Sequence, residues 1–405
     1  MSDFMFMLEN HLSADQSRAV AQVRSAASAA GINVFLTGGA LRDMIAGLPI
    51  VEIDFTVEGD GIKFAKSLEG VQIVGTDEAR KAAQVIFPGG VCGSIGIARQ
   101  ETYSKPGAKP QIKPATIHED LRGRDFTINS IALSLNAASR GLLIDPTNGV
   151  GDLERKELRG VTNYSLYDDP VRLLRLQRFR VRLGFTIVER TLAQYANARE
   201  AGLASRVSAA ALQEELRRIA SEQNVADVIR VLEEEKLLEL YSPALSGPKL
   251  NTSALLKLQK AKQLIPFGTR LQQMDHLSVL LNVLTEKFTP AERTALAETI
   301  ALSKEQVDAY QKLDARAKKL ERDLKGAQLQ KPSKLYALLS KAAGDAIVYL
   351  IVRSSERLVQ DRIKNFLQKY LPAALEVTDA DVVAAGGAIG SPKFERLRSE
   401  LIATR

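Results

Sequence analysis

Strand-like segments stop near residue 150, and this change of pattern limits the architectures open to the chain. Before it, short β-branched runs bounded by Gly, Pro or Asp recur at residues 34–37, 53–57, 71–74, 84–87 and 94–97. Helical patterns lie between them, at residues 41–46 and 61–69. After it, Ala, Leu, Glu, Lys and Arg recur at helical spacing to about residue 370. No internal repeat and no low-complexity tract interrupts either part. The expected class is α+β: an N-terminal head of mixed sheet with helices, then an all-α remainder. Breaks at Ser242-Pro243, Ser246 to Pro248, Pro266 to Gly268, Pro290, Pro332, Ala385 to Gly387 and Ser391-Pro392 divide that remainder. They give expected domains of 1–150, 151–245, 246–340 and 341–405.

Composition excludes several classes of function. Lys plus Arg is 55 against 48 Asp plus Glu, a net charge of +7, which favours a polyanionic partner such as nucleic acid. Cys92 is the single cysteine, so a disulfide scaffold and a cysteine-based zinc site are excluded. His11, His118 and His276 share no ligand spacing. Tryptophan is absent and aromatics are 5%, so a broad base-stacking platform is not indicated. The longest clean apolar run, residues 346–352, is far short of the ~20 residues a membrane helix needs. The N-terminus has no basic n-region and carries Asp3 and Glu9, so a cytoplasmic protein without membrane association is expected.

The strongest local feature is a strand that runs into Gly38-Gly39, followed by Arg42-Asp43 in a helix and then Glu52-Ile53-Asp54. Two glycines there let backbone N–H groups approach a phosphate, helped by the positive end of the helix. Arg42, one turn in, can pair with a triphosphate oxygen. Glu52 and Asp54 alternate on a strand, so their side chains share a face. Carboxylates about 6–7 Å apart along a strand can share divalent ions, as two-metal phosphoryl transfer requires.

Gly38 to Asp43 followed by Glu52-Ile53-Asp54 resembles the head motif of the class II tRNA nucleotidyltransferases (CCA-adding enzymes) and the bacterial poly(A) polymerases. The resemblance implies a nucleotidyltransferase head followed by an all-α neck, body and tail. It also implies Mg²⁺ held by Glu52 and Asp54 as the catalytic carboxylates. The family usually has two aspartates, and here the first is Glu52. Downstream, Glu119 to Asn129 resembles the RRDFTIN motif, which contacts the ribose. By resemblance Arg124 and Asp125 carry that role and Asn129 supports it. Gly123 replaces the first arginine of the pair, with Arg122 adjacent. Between the two motifs, Ser104 to Pro114 resembles the family's flexible loop. Glu101, just before it, reads as a strand-end acid or as a third metal carboxylate.

The third motif is Asp168-Asp169-Pro170 with Arg172, Arg175, Arg178 and Arg182 on one helical stripe, ending at Gly184. Asp169 reads as an N-cap with Pro170 at the first helical position. Four guanidiniums on one stripe repel each other, so a polyanion or several acids should face them. The segment resembles EDxxR, the protein template that reads the incoming base. By resemblance Asp169 and Arg172 pair with the base, while Arg175 and Arg178 approach the triphosphate. Cytosine and adenine both offer an exocyclic amino donor beside a ring-nitrogen acceptor, which a carboxylate and a guanidinium match. Uracil and guanine reverse the pattern. Further on, Glu215 matches a family acid, but Ala210 and Ala211 replace the Glu-Arg before it. The stretch from Asp379 to Leu397 loosely resembles the RNA-anchoring tail.

The function implied is template-independent addition of CCA to tRNA 3′ ends from CTP and ATP, with pyrophosphate released. Alternatives are a poly(A) polymerase, a CC-only or A-only enzyme, and a catalytically silent RNA-binding protein. A phosphohydrolase site in the helical part is disfavoured, because Asp275-His276 is in the wrong order and lacks partner histidines.

Overall fold

The protein is described by a computed structural model that covers residues 4–266 and 269–404. Residues 1–3, with Asp3, and residues 267–268 of one expected break lie outside the described residues. The chain divides into two units, Met1–Ser208 and Ala209–Arg405. The division falls inside the expected 151–245 segment.

The first unit is built on a seven-stranded sheet. Its strands are β1 (Asn33–Thr37), β2 (Ile53–Glu58), β3 (Gln72–Asp77), β4 (Ala82–Phe87), β5 (Val91–Ile97), β8 (Ala132–Ser134) and β9 (Leu143–Ile144), where β6 (Arg99–Thr102) and β7 (Gln111–Pro114) form a separate hairpin. The order across the sheet is β3-β4-β5-β2-β1-β8-β9. β2 and β5 are parallel and the other neighbours antiparallel, so the sheet is mixed, as expected. All five expected strands are present. β8 and β9 were not expected, because three- and two-residue strands carry too little alternation to read. The expected loop from Ser104 to Pro114 is corrected in part: Gln111–Pro114 is β7, paired with β6.

The register of this sheet positions the site. Thr37, the last residue of β1, pairs with Asp54 near the start of β2, and Asp54 pairs with Ser94 on β5. The chain leaving β1 therefore enters the Gly38-Gly39 turn beside Asp54. Gly38 has φ 67°, in the left-handed region that favours glycine. The core below is apolar and closed: Leu36, Ile53, Val57, Ile95, Phe126, Ile128 and Leu133 are buried. After β9, Asp145 accepts from the N–H groups of Gly149 (2.7 Å) and Val150 (3.0 Å), capping the Gly149–Arg155 helix. A Cβ at Gly149 would lie 2.1 Å from the Thr127 carbonyl, so no other residue fits there.

The second unit is helical. The expected breaks at Pro290, Pro332 and Pro392 are helix starts: Pro290–Thr299, Pro332–Leu339 and Pro392–Thr404 each begin on the proline. The ring presets φ and the missing N–H would have no partner in the first turn. The apolar run 346–352 belongs to the Gly344–Arg353 helix, which packs against Thr252–Gln263 and Lys304–Leu324. Among the described residues, no single helix is long and apolar enough to cross a membrane.

Lys262 lies in this core, 1% exposed, and donates to the carbonyls of Ala220 and Glu222, both at 2.5 Å. It thereby satisfies the end of the Ala209–Ser221 helix. Burial lowers its pKa to about 7, against an opposing effect of Glu222. The unfolded chain keeps that proton up to the ordinary lysine value of 10.5. Between those limits the unfolded state binds more protons, so stability should rise with pH. Chemical denaturation from pH 7 to 10 should show the rise, and Lys262→Met should flatten it. An unchanged slope in the variant would reject the assignment.

Candidate active site

Three motifs, separated by up to about 140 residues in sequence, form one hydrogen-bonded chain in the first unit. Arg182 donates to Asp43 Oδ2 at 2.7 Å, and Arg42 Nε donates to Asp43 Oδ1 at 2.8 Å. Arg42 Nη1 donates to Asn129 Oδ1 at 2.8 Å. Asn129 Nδ2 donates to Asp125 Oδ1 at 2.9 Å, and Arg175 Nη1 donates to Asp125 Oδ2 at 2.8 Å. The glycine-turn motif, the second motif and the arginine helix (Val171–Leu183) are thus held together by complementary charges.

Asp43 and Asp125 balance the stripe of arginines, as the charge argument required. Burial alone would raise the pKa of Asp125, but the Arg175 and Arg172 guanidiniums and the Asn129 amide hold it far below the usual carboxylate range. Arg42 is buried, and burial lowers its pKa against the pull of Asp43. Its guanidinium lies over the Phe179 ring at 4.8 Å, with Arg178 at 4.6 Å from the same ring. Arg42 therefore forms the base of the site, beneath the glycines. A Cβ on Gly39 would lie 3.5 Å from Arg42 Nη2 and 3.9 Å from Asp54 Oδ2, and one on Gly38 would lie 3.4 Å from Arg124 Nη1. The two glycines leave that space open.

Arg124 is fixed from three sides. Its Nη2 donates to Asp120 Oδ2 (2.7 Å) and Thr56 Oγ1 (3.1 Å), and its Nη1 to the Asn129 carbonyl (3.2 Å). Arg122, beside the departure at Gly123, is exposed at the end of the Ile117–Arg122 helix.

Asp54 is half-buried and accepts a hydrogen bond from Ser94 Oγ at 2.6 Å through Oδ1. Glu52 is exposed and precedes β2 by one residue. It lies close enough to Cys92 on β5 to raise the thiol's pKa, after the larger effect of burial. Asp54 offers hard oxygen donors beside the open glycine cradle, a chemistry that fits a small divalent cation. Among the described residues no cluster of three or more His, Cys, Asp or Glu completes a protein cage. Glu101 does not join Asp54. It pairs with Arg99 (2.8 Å), Arg80 (3.2 Å) and the Tyr103 hydroxyl (2.7 Å). Burial would raise its pKa, but these partners lower it to about 2, so it is an ion-paired strand acid.

At the far end of the site, Asp169 departs from the N-cap expectation. The Val171–Leu183 helix is preceded by Pro170 with no side-chain cap, because Asp169 (φ −125°, ψ 92°) ends the one-turn helix Ser165–Asp168. Its carboxylate instead faces Arg172, with Nε–Oδ2 at 3.7 Å. Arg172 Nη1 donates to the Ser165 carbonyl at 3.2 Å, while the buried Nε has no hydrogen-bond partner. An acceptor and an unused donor therefore sit side by side. Arg178 is buried beside Phe179, and Arg175 is committed to Asp125. Glu215 is fully buried in the second unit.

The sequence pattern assigned no role to Asp43, Asp120, Ser94 or Phe179. Asp43 could have been found as an acid directly after a motif arginine. Ser94 could not, because its pairing with Asp54 depends on the parallel β2–β5 register.

Residues 34–159 match the poly(A) polymerase head domain. The A-adding tRNA nucleotidyltransferase of Aquifex aeolicus is 27% identical over 372 residues, which cover 90% of this chain and 44% of that protein. The CC-adding tRNA nucleotidyltransferase of Deinococcus radiodurans is 31% identical over 280 residues, covering 68% of this chain and 71% of that protein. The chain spans less than half the length of the A-adding relatives it matches. The Thermotoga maritima CCA-adding enzyme, solved with tRNA, superposes with a TM-score of 0.54 at 24% identity, over 99% of this chain and 94% of that one. With a head-domain match over the first two motifs and a relative of like length at 31% identity, the chain belongs to the tRNA nucleotidyltransferase family that shares the poly(A) polymerase head.

Proposed function

We propose that the protein adds CCA to tRNA 3′ ends from CTP and ATP. The observation that carries this reading is the adjacency of Asp169 and Arg172, an open acceptor and an unused buried donor, in the unit whose other end holds Asp54 and the glycine cradle. The family generally uses a divalent metal, and we assign Mg²⁺ to Glu52 and Asp54. When bound, the ion would lower the pKa of the attacking hydroxyl and stabilise charge on the phosphate.

In this reading the RNA 3′-hydroxyl attacks the α-phosphate, and pyrophosphate leaves. The Gly38-Gly39 turn admits the triphosphate close to the backbone. Arg42, Arg175 and Arg178 supply positive potential from below. Arg124, Asp125 and Asn129 form the ribose side, where a fixed guanidinium and a carboxylate bracket a 2′-hydroxyl. Asp169 accepts from the exocyclic amine of cytosine or adenine, and Arg172 donates to the ring nitrogen. UTP or GTP would leave both groups unpaired, at a cost of several kcal/mol. Residues 151–245, 246–340 and 341–405 would serve as neck, body and RNA-binding tail, and the site of action would be the cytoplasm.

The direct test uses three matched tRNAs, ending before CCA, after C and after CC, each given CTP, ATP, both, UTP or GTP. Completion of CCA and a stop there is the expected result. The relatives named A-adding and CC-adding make a partial enzyme the second reading, and a stop at CC, or A addition to the CC end alone, would establish it. Asp169→Ala should bring UTP and GTP incorporation within about tenfold of CTP and ATP, since one lost hydrogen bond to a charged group is worth about 1.5–3 kcal/mol. Unchanged base selection would reject the template role.

A further inference from the structure

Three aromatic side chains among the described residues are exposed, and two are close in sequence: Tyr164, 67% exposed, and Tyr167, 45% exposed. They are three positions apart across a single helical turn, so they occupy one side of it. Both lie within five residues of Asp169. In a chain without tryptophan and with 5% aromatics, this pairing beside the base-reading end calls for a partner.

The turn that carries them is rigidly tied to that end of the site. Arg172 donates to the Ser165 carbonyl, and Gly107 N–H on the β6–β7 loop donates to the Asp168 carbonyl at 3.1 Å. Ser165 itself is buried, and its hydroxyl accepts from Thr162 N–H at 2.9 Å. The loop approaches so closely that a Cβ on Gly107 would lie 2.5 Å from the Arg206 carbonyl. Lys105, Lys109 and Arg206 are exposed around this contact. Two exposed tyrosines on a turn bonded to a loop that carries Lys105 and Lys109 and approaches Arg206 have the make-up of a single-stranded nucleic acid groove, in which bases stack on rings and phosphates meet Lys or Arg.

We propose that Tyr164 and Tyr167 form a stacking platform for the last unpaired nucleotides of the RNA acceptor, presenting its 3′ end to the nucleotide held by Asp169 and Arg172. This rests on the RNA-extending function proposed above, and its test can fail separately from that function. The aromatic signal is local, a two-ring step rather than a sheet-wide platform, and was not visible in the overall composition.

Because the chain has no tryptophan, Tyr167→Trp introduces a single indole reporter. Titration with a tRNA lacking CCA, in the absence of nucleotide, should quench its fluorescence saturably, and a duplex RNA with blunt ends should not. In extension assays, Tyr164→Ala/Tyr167→Ala should raise KM for tRNA at least tenfold, in line with about 1–3 kcal/mol per stacked base. KM for CTP and the selection against UTP and GTP should stay unchanged, and Tyr164→Phe/Tyr167→Phe should restore the tRNA KM. Equal quenching by blunt duplex, no quenching at all, or an unaltered tRNA KM in the double alanine variant would overturn the platform. Quenching by the tRNA with no extension by the parent protein would uphold the platform and overturn the proposed activity.

Discussion

Asp54→Ala is expected to reduce nucleotide incorporation by at least about 10³-fold while leaving the fold intact. The magnitude follows from the several kcal/mol of charge stabilisation that a metal-bound carboxylate supports, at 1.36 kcal/mol per factor of ten. The fold should survive because Asp54 is only half-buried and accepts its hydrogen bond from a serine, Ser94, rather than from a buried charge. Losing that bond frees a hydroxyl at the edge of an open cradle, where water can replace the carboxylate. Gel-resolved extension and a thermal melt of the same preparation check both halves. Full activity would remove Asp54 from the metal assignment. Isothermal titration with Mn²⁺, a spectroscopically visible substitute, should show weakened binding in the variant.

The second large effect is on stability. Asp43 is 4% exposed and receives Arg42 through Nε and Nη2 and Arg182 through Nη2. Asp43→Ala would leave the buried Arg42 guanidinium without its carboxylate, beside Arg178 and Arg182, which already disfavour its charge. Removing one partner of a buried pair costs about 3–5 kcal/mol. For a unit of this size, each kcal/mol lowers Tm by roughly 2–4 °C. A fall of roughly 6–20 °C is expected, and Asp43→Asn, which keeps shape and one acceptor, should fall less. An unchanged melting curve would mean that Asp43 does not hold the network. The two experiments separate the roles of neighbouring acids: Asp54 faces the open cradle and Asp43 faces the protein interior.

Local signals read reliably wherever the chemistry itself is local. The turn at Gly38 needs a residue that tolerates a positive φ, and the sequence supplies a glycine there. The alternation of Glu52 and Asp54 presumes a strand through both, but β2 begins only at Ile53, after Glu52. The spacing of Arg172, Arg175, Arg178 and Arg182 sets a stripe in any helix, and the need for opposing acids follows from charge alone. The prolines at 290, 332 and 392 mark boundaries correctly, as helix starts.

Other features had no local cause. Asp169 as an N-cap is the natural reading of Asp-Pro before a helix, yet the chain arrives from the one-turn helix Ser165–Asp168, which turns the carboxylate toward Arg172 instead. Residues 111–114 read as loop because they are short and end in proline, but β6 offers them an edge on which to pair. Proline is tolerated there because the missing N–H falls at the end of a two-stranded edge.

The sequence alone determined the α+β layout, the residue types of the three motifs and the sign of the charge they must meet. These depend on periodicity, backbone freedom and electrostatics, which act over a few residues. Only the tertiary structure decided which acid meets which arginine. Asp43 takes Arg42 and Arg182, Asp125 takes Arg175, Ser94 takes Asp54, and Asp169 remains open beside Arg172. Three of those pairings, Asp43 with Arg182, Asp125 with Arg175 and Asp54 with Ser94, depend on strand register and helix docking between segments 40 to 139 residues apart, and a buried charge accepts whichever partner the packing brings within hydrogen-bond reach.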